Sequence, residues 1–166
     1  SVLRDPASDP RASNVALRIF LRIGDYTQVK EVVSRLMGAG QMEGETAIQY
    51  ADKLVRSQLE AQAGPFIEIG LNSRDQIVKA AAHYLEAIVL LRDGEFSPAA
   101  DSFQRAADLD PRLWEGLLSK GGVQMEAGDY QAAAATWLEL ARSRPDLTVG
   151  GESIHAAIAT AYGAAG

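Results

Sequence analysis

One phrase occurs twice in the C-terminal half of this chain, and the two copies lie 34 residues apart. Each copy runs from a glycine through an acidic residue, an aromatic residue, two alanines and a second aromatic residue to a proline. The copies are Gly94, Glu95, Phe96, Ala99, Ala100, Phe103 and Pro111, and Gly128, Asp129, Tyr130, Ala133, Ala134, Trp137 and Pro145. A fixed period of this length indicates stacked supersecondary units, because one such unit cannot bury its apolar face alone.

The residues inside the phrase predict two helices per unit. Gly94 suits a turn with positive φ, and the small and aromatic side chains that follow fall on one face of a helix. Asp110 and Pro111 end that helix and begin the next, since proline fits a first turn better than a helix interior. The next helix has its own apolar face, made of Trp114, Leu117, Leu118, Gly121 and Met125.

The order of glycine, aromatic residue, alanine and proline resembles the second half of a tetratricopeptide repeat (TPR). The resemblance implies an all-α fold, a right-handed α-solenoid of helix-turn-helix repeats. In that family the first helices line a concave face that often binds extended peptides. The match is close over 80–147, weaker over 10–43 and poor over 44–79.

The same period predicts how the whole chain is divided. We expect a polar lead-in over 1–12 and a single TPR-like domain over 13–166, with Ser13 or Asn14 capping the first helix. In the first repeat, Gly24 begins the same turn as Gly94 and Gly128. Val29, Val33 and Leu36 then hold the places of Ala99, Phe103 and Ala106, and Gln41 stands where the proline would be. The expected elements are repeats at about 10–43, 44–79 (degenerate), 80–113 and 114–147, and a terminal capping helix at 152–162.

Three stretches outside the two clear repeats carry further expectations. Residues 45–62 predict one helix. The glycines and Pro65 that follow predict an irregular connection or one short turn over 64–72, whose apolar residues fill the core, with an exposed docking site as the alternative. Residues 148–151 predict a loop. Two apolar stripes are expected, Val15, Ile19, Phe20 and Ile23 on the first helix, and Ile154, Ala157, Ile158, Ala161 and Tyr162 facing inward on the last.

The charge is uneven, and this argues against two classes of partner. Residues 1–79 hold ten basic and ten acidic side chains, whereas residues 80–166 hold six and twelve, so the second half carries the net charge of −6. Nucleic acids and anionic membranes both require a basic footprint. The acidic half would suit basic peptides, with ordinary solvated helix faces as the simpler alternative.

The composition does not determine the compartment in which the protein works. The chain has no cysteine, which excludes disulfides and thiolate metal sites but does not choose between cytoplasm and periplasm. The longest apolar run, 85–91, is interrupted by Glu86 and is far too short to span a membrane. The alanine and glycine content points to a bacterium. Because residue 1 is serine, we expect a fragment or a processed form.

No residue pattern predicts catalysis, a metal or a cofactor. His83 precedes Glu86 by one helical turn, and His155 follows Glu152 by three residues. Helical di-iron sites use that second spacing, but they need two such motifs and further carboxylates. Nucleophile elbows, phosphate-binding loops, dinucleotide fingerprints and zinc spacings are missing from the sequence. We therefore predict a protein that is not an enzyme and needs no cofactor.

The TPR resemblance supplies the candidate binding residues. Carried over by position, the concave face has Asn14, Arg18, Leu21 and Arg22, then Tyr84, Ile88, Leu91 and Arg92, then Leu118, Gly122, Met125 and Glu126. The carboxylate clamp of the family uses lysine, asparagine and arginine on these helices, and Asn14 with Arg18 is only a fragment of it. Gly122, beside Gly121, predicts the close approach of another backbone, from a packed helix or a bound peptide.

These features together predict a non-catalytic adaptor or scaffold that binds a peptide or protein partner on the concave face. The alternative is a structural module whose solenoid ends self-associate into a homo-oligomer. Under that alternative, polar substitutions at Ile154 and Ile158 would change the oligomeric state.

Overall fold

A computed structural model describes residues 9–40 and 42–166 and confirms the all-α class. The helices of this part are α1 (Pro10–Ile23), α2 (Tyr26–Gly38), α3 (Gly44–Arg56), α4 (Glu60–Leu71), α5 (Gln76–Arg92), α6 (Phe96–Leu109), α7 (Trp114–Glu126), α8 (Tyr130–Ser143) and α9 (Ile154–Ala164). None of these described helices is long and apolar enough to cross a bilayer. The chain packs as two compact units, the first ending at Ser73 and the second running from Arg74 to Gly166.

Three glycine turns have the same geometry, which confirms the predicted repeat signature. Gly24, Gly94 and Gly128 have φ values of 74°, 80° and 79°. In each turn the next residue donates its backbone N–H to the carbonyl oxygen five residues earlier, at 2.8 to 3.0 Å. This bond satisfies a carbonyl that a helix end would otherwise leave unpaired. The turns therefore end α1, α5 and α7 alike.

The first unit contains two helix pairs. α1 packs on α2 and α3 packs on α4, and α2 also contacts α4. Its core includes Val29, Val33 and Leu36, as the sequence predicts, together with Leu17 of α1 and Phe66 of α4. The predicted stripe of α1 differs, because Val15, Ile19 and Ile23 are exposed and Phe20 is half-buried.

In the second unit each helix packs on the next one along the chain, from α5 to α9. Phe103 is buried among Ala87, Ala99, Ala100 and Val123. Trp137 is buried in a second cluster with residues of α8 and α9. Alanines that surround one large aromatic side chain let neighbouring helices approach closely, and burial of each such ring contributes about 2–3 kcal/mol.

The irregular connection or short turn predicted over 64–72 is wrong. Those residues up to Leu71 belong to α4, which contains Pro65, and the single helix predicted over 45–62 is broken at 57–59. Ala63, Phe66 and Ile67 are buried at helical spacing. Their burial outweighs the roughly 3 kcal/mol that an interior proline costs a helix. As predicted, Phe66 and Ile67 fill the core.

The first helix begins earlier than predicted. Asp9 is its N-cap and accepts a hydrogen bond from the backbone N–H of Arg11 at 2.9 Å, and Pro10 is the first helical residue. This combination is typical of a helix start, so 10–12 belong to α1, and neither Ser13 nor Asn14 is the cap. Residues 1–8 of the predicted lead-in, and Gln41, lie outside the described residues.

The predicted loop at 148–151 forms the first strand and the turn of a small hairpin. β1 (Thr148–Val149) pairs antiparallel with β2 (Glu152–Ser153), and the connecting glycines have φ values of 59° and 89°. Two-residue hairpin turns favour residues that tolerate positive φ. Ser153 then caps α9 through its Oγ, at 3.2 Å from the N–H of Ala156. Tyr162 is half exposed, contrary to the prediction that it faces inward.

Candidate functional site

An open cleft of about 290 Å³ lies in the first unit and contains three of the four candidate residues from α1. Only Asn14 of that group does not line it. We call it the α1–α3 cleft. Its lining residues are Arg18, Leu21 and Arg22 of α1, Tyr50, Lys53, Leu54 and Ser57 of α3 or its C-cap, and Leu59 before α4.

Helical spacing places the side chains of this cleft. On α1 the three lining positions are three and four residues apart, so they share one face. Tyr50, Lys53 and Leu54 repeat that spacing on α3. Leu54 is buried and forms part of the floor, and the Tyr50 ring packs against Phe66 with its centroid 5.6 Å away. The aromatic wall of the cleft is therefore held by the core.

The charged groups of the cleft are all cations. Arg18, Arg22 and Lys53 line it, and no acidic side chain does. Within the described residues, these three cations have no ion-pair partner. Arg56, which lies on α3 with Lys53 and does not line the cleft, pairs with Asp52 at 2.7 Å. Unpaired cations above an apolar floor suit a ligand that carries both carboxylates and an apolar side chain.

Candidates on α5 serve the core as well as the surface. Tyr84, Ile88 and Leu91 are half-buried and pack against the Phe103 cluster. The Tyr84 and Phe103 rings meet edge to face, with centroids 5.4 Å apart. A substitution at Tyr84 would therefore disturb packing, so it is a poor test of binding. Arg92 is exposed at the end of the helix.

Candidates on α7 divide in the same way. Leu118 and Met125 pack against the Trp137 cluster, and Glu126 is exposed. The expected close approach occurs at Gly121 and not at Gly122. A Cβ added to Gly121 would lie 2.1 Å from Nε1 of Trp137, whereas one added to Gly122 meets no atom within 4 Å. The neighbour at Gly121 is a side chain, so the prediction of a backbone neighbour is wrong.

His83 belongs to a polar network between α5 and α6. Its Nδ1 lies 3.1 Å from Oε2 of Glu86, and the buried Ser102 hydroxyl donates to the same oxygen at 2.9 Å. The serine is bonded to the carboxylate and not to the imidazole, which differs from a nucleophile activated by a base. His155 is exposed. Among the described residues, no three histidine or carboxylate side chains form a group that would hold a metal ion.

The pKa of Asp110 is lowered, but the cause is an ion pair that holds a turn together and not a catalytic or binding group. In the turn between α6 and α7, the Arg112 guanidinium donates to both oxygens of Asp110 at 2.9 Å. The hydrogen bond from the Arg112 side chain holds the pKa of Asp110 below its usual range, and the same bond raises the pKa of Arg112. The pair stabilises the turn that Asp110 and Pro111 were predicted to form.

Neither protein-family models nor curated proteins match this chain. Among solved structures, the crystal structure of MamA protein matches with a TM-score of 0.68 and 16% sequence identity. The match covers 94% of this chain and 82% of that chain. At this identity the likeness concerns the fold alone. Together with the repeated glycine turns, it supports a TPR-like helical-repeat fold, as the sequence predicts.

Proposed function

We propose that this chain is a non-catalytic protein-interaction module, an adaptor or scaffold, and that the α1–α3 cleft binds a segment of its partner. One observation carries the proposal. Residues that the TPR resemblance would place on a binding face of α1 line an open cleft together with Tyr50 and Lys53 of α3. The cleft is near the lower end of the size range of ligand sites, so it suits one or two side chains of a peptide.

The cleft also indicates the chemistry of that segment. Its three cations favour carboxylates, and its leucines and Tyr50 favour a large apolar side chain. We therefore propose a peptide in which acidic residues flank a leucine, isoleucine or phenylalanine. This differs from the basic peptide that the charge of the second half suggests, because that charge lies outside the cleft.

The candidates of the second unit remain part of the proposal. Arg92 and Glu126 are exposed, and Gly122 has open space in front of it. These positions are available to a partner without any loss of core packing. We propose that they make additional contacts, whereas Tyr84, Ile88, Leu91, Leu118 and Met125 act mainly through packing.

A peptide-display selection tests the proposal. The intact chain selects from a random peptide library, and the affinity of the recovered peptides is measured by fluorescence anisotropy. We expect acidic peptides with one large apolar side chain. The double variant Arg18→Glu and Lys53→Glu places repulsive charge on both walls of the cleft, so it should weaken binding by about tenfold or more.

The matched control is Arg105→Glu with Arg142→Glu. It makes the same change in net charge on exposed positions of α6 and α8, and Arg142, like Lys53, lies in the last turn of its helix. The control should bind like the unmodified chain. Recovery of no peptide, or equal loss of affinity in both double variants, would contradict the proposed site.

A further inference from the structure

The outer side of α1 carries an apolar stripe that no described helix covers. Val15, Ile19 and Ile23 are 55%, 52% and 65% exposed. They are spaced by four residues and so lie along one side of the helix. They are three of the four large apolar side chains among the described residues that are more than half exposed; the fourth is Ile77. We call these three residues the α1 stripe. A contiguous exposed apolar strip of this kind is typical of an interaction site.

The repeat itself shows what covers this position elsewhere in the chain. The same Gly-Asp-Tyr sequence follows α1 at Gly24 and α7 at Gly128, so Ile19 corresponds to Val123. Val123 is only 3% exposed, and it is buried in one cluster with Ala99, Ala100 and Phe103 of the preceding helix, α6. Val15 and Ile23 correspond to Ser119, which is half-buried, and to Ala127, which is exposed, so the analogy applies to the middle of the stripe: Ile19 has the position and the chemistry to receive a helix.

The charges on α1 indicate which kind of helix would bind to the stripe. α1 contains Arg11, Arg18 and Arg22 and no acidic residue. At helical spacing these arginines lie next to the stripe, on the side of Val15. Two copies of α1 face to face would bring six arginines together, which disfavours a second copy of this chain as the occupant. An acidic helix would complement these arginines. α6 shows that this chemistry occurs in a covering helix, since residues 95–110 contain four acidic residues and one arginine.

We propose that the α1 stripe docks an acidic amphipathic helix of a partner protein, with small and aromatic apolar residues on its inner face as in α6. The α1 stripe adjoins the α1–α3 cleft but is not part of it. Val15, Ile19 and Ile23 do not line the cleft, whereas Arg18 and Arg22 line the cleft and also border the stripe. The module would then contact its partners through two adjoining surfaces of the first unit.

The probe is a fluorescently labelled synthetic peptide with the sequence of residues 95–110, titrated with the full chain and followed by anisotropy. We expect saturable binding that weakens as salt is added, because the arginines contribute. Ile19→Glu should weaken binding by about tenfold or more, since it removes apolar burial and adds a repulsive charge. Ile77→Glu, at another isoleucine that is 55% exposed, is the matched control and should have no effect.

Two further measurements distinguish the α1 stripe from the α1–α3 cleft, and a partner helix from a second copy of this chain. Lys53→Glu should leave binding of this helical peptide unchanged, so a failure of the cleft proposal and a failure of this one are distinguishable. Peptide binding that is absent, or equal in the intact chain and Ile19→Glu, would overturn the proposal. A dimer in sedimentation that Ile19→Glu dissociates would assign the stripe to a second copy and overturn it as well.

Discussion

At the scale of single residues, two adjacent glycines of α7 have opposite environments. Gly121 lies against the Trp137 indole, whose Nε1 donates to the Leu118 carbonyl at 3.2 Å, whereas Gly122 faces open space. The sequence shows two glycines and does not distinguish them, because the distinction depends on which helix face meets α8.

This difference makes a matched pair of substitutions. Gly121→Ala should lower the free energy of unfolding by about 1–3 kcal/mol, since the new Cβ displaces the Trp137 ring. Gly122→Ala should raise it by about 0.5–1 kcal/mol, because alanine favours the helix. Urea denaturation followed by circular dichroism measures both. Equal effects of the two substitutions would contradict the contact between Gly121 and the Trp137 ring.

The Asp110 and Arg112 pair predicts a dependence of stability on pH. The pKa of Asp110 is lowered in the folded protein, so its contribution is present above its unfolded pKa of about 4 and is lost as pH falls through the folded value. Asp110→Asn should therefore be less stable at pH 7 and should lose less stability on acidification. Denaturation at a series of pH values from neutral to acid measures this. If the unmodified protein and Asp110→Asn lost stability equally on acidification, the Asp110 and Arg112 pair would not be the source of that loss.

At the scale of the secondary-structure elements, α4 shows where sequence reasoning fails. Gly64 and Pro65 indicate a break, but Ala63, Phe66, Ile67 and Gly70 have the spacing of a buried helix face. Tertiary packing decided between the two signals, and one sequence does not show how strong that packing is. The Gly150 and Gly151 turn is different, because two adjacent glycines are a recognisable signal for a hairpin turn, although only a loop is predicted there from the sequence.

The proline in α4 gives a prediction for this element. Pro65→Ala should restore a backbone N–H that can donate to the Ala61 carbonyl and should remove the ring clash in that turn. Part of the gain is offset, since proline also restricts the unfolded chain. We expect the free energy of unfolding to rise by about 1–2 kcal/mol in urea denaturation. A decrease would mean that the Pro65 ring makes packing contacts that stabilise α4.

At the scale of the whole molecule, the period of 34 residues together with the resemblance to a TPR was enough to predict the all-α repeat fold. The resemblance also placed Arg18, Leu21 and Arg22 on one face, and the structure gathers them in the α1–α3 cleft. The opposite wall was not predicted, because α3 belongs to the stretch with the poorest match to the repeat. Likewise, the α1 stripe looks like a core face in sequence, and its exposure depends on which helices pack around it.

The overall charge makes the cleft a local exception. Up to Ser73 the sequence has eight basic and nine acidic residues, and beyond it eight and thirteen, while the lining of the cleft has only cations. Binding of an acidic peptide to the cleft should therefore weaken as salt screens these cations. Anisotropy titrations at increasing sodium chloride measure this, with sucrose as an uncharged control. Affinity that does not depend on salt would indicate purely apolar binding.

The most direct test of the central claim is a charge exchange across the α1–α3 cleft. A selected acidic peptide and a version of it with lysine at each acidic position are titrated against the unmodified chain and the variant Arg18→Glu with Lys53→Glu. We expect the acidic peptide to bind the unmodified chain and the lysine version to regain affinity only for the variant. If the lysine version binds neither protein, or the acidic peptide binds both equally, the α1–α3 cleft is not the binding site.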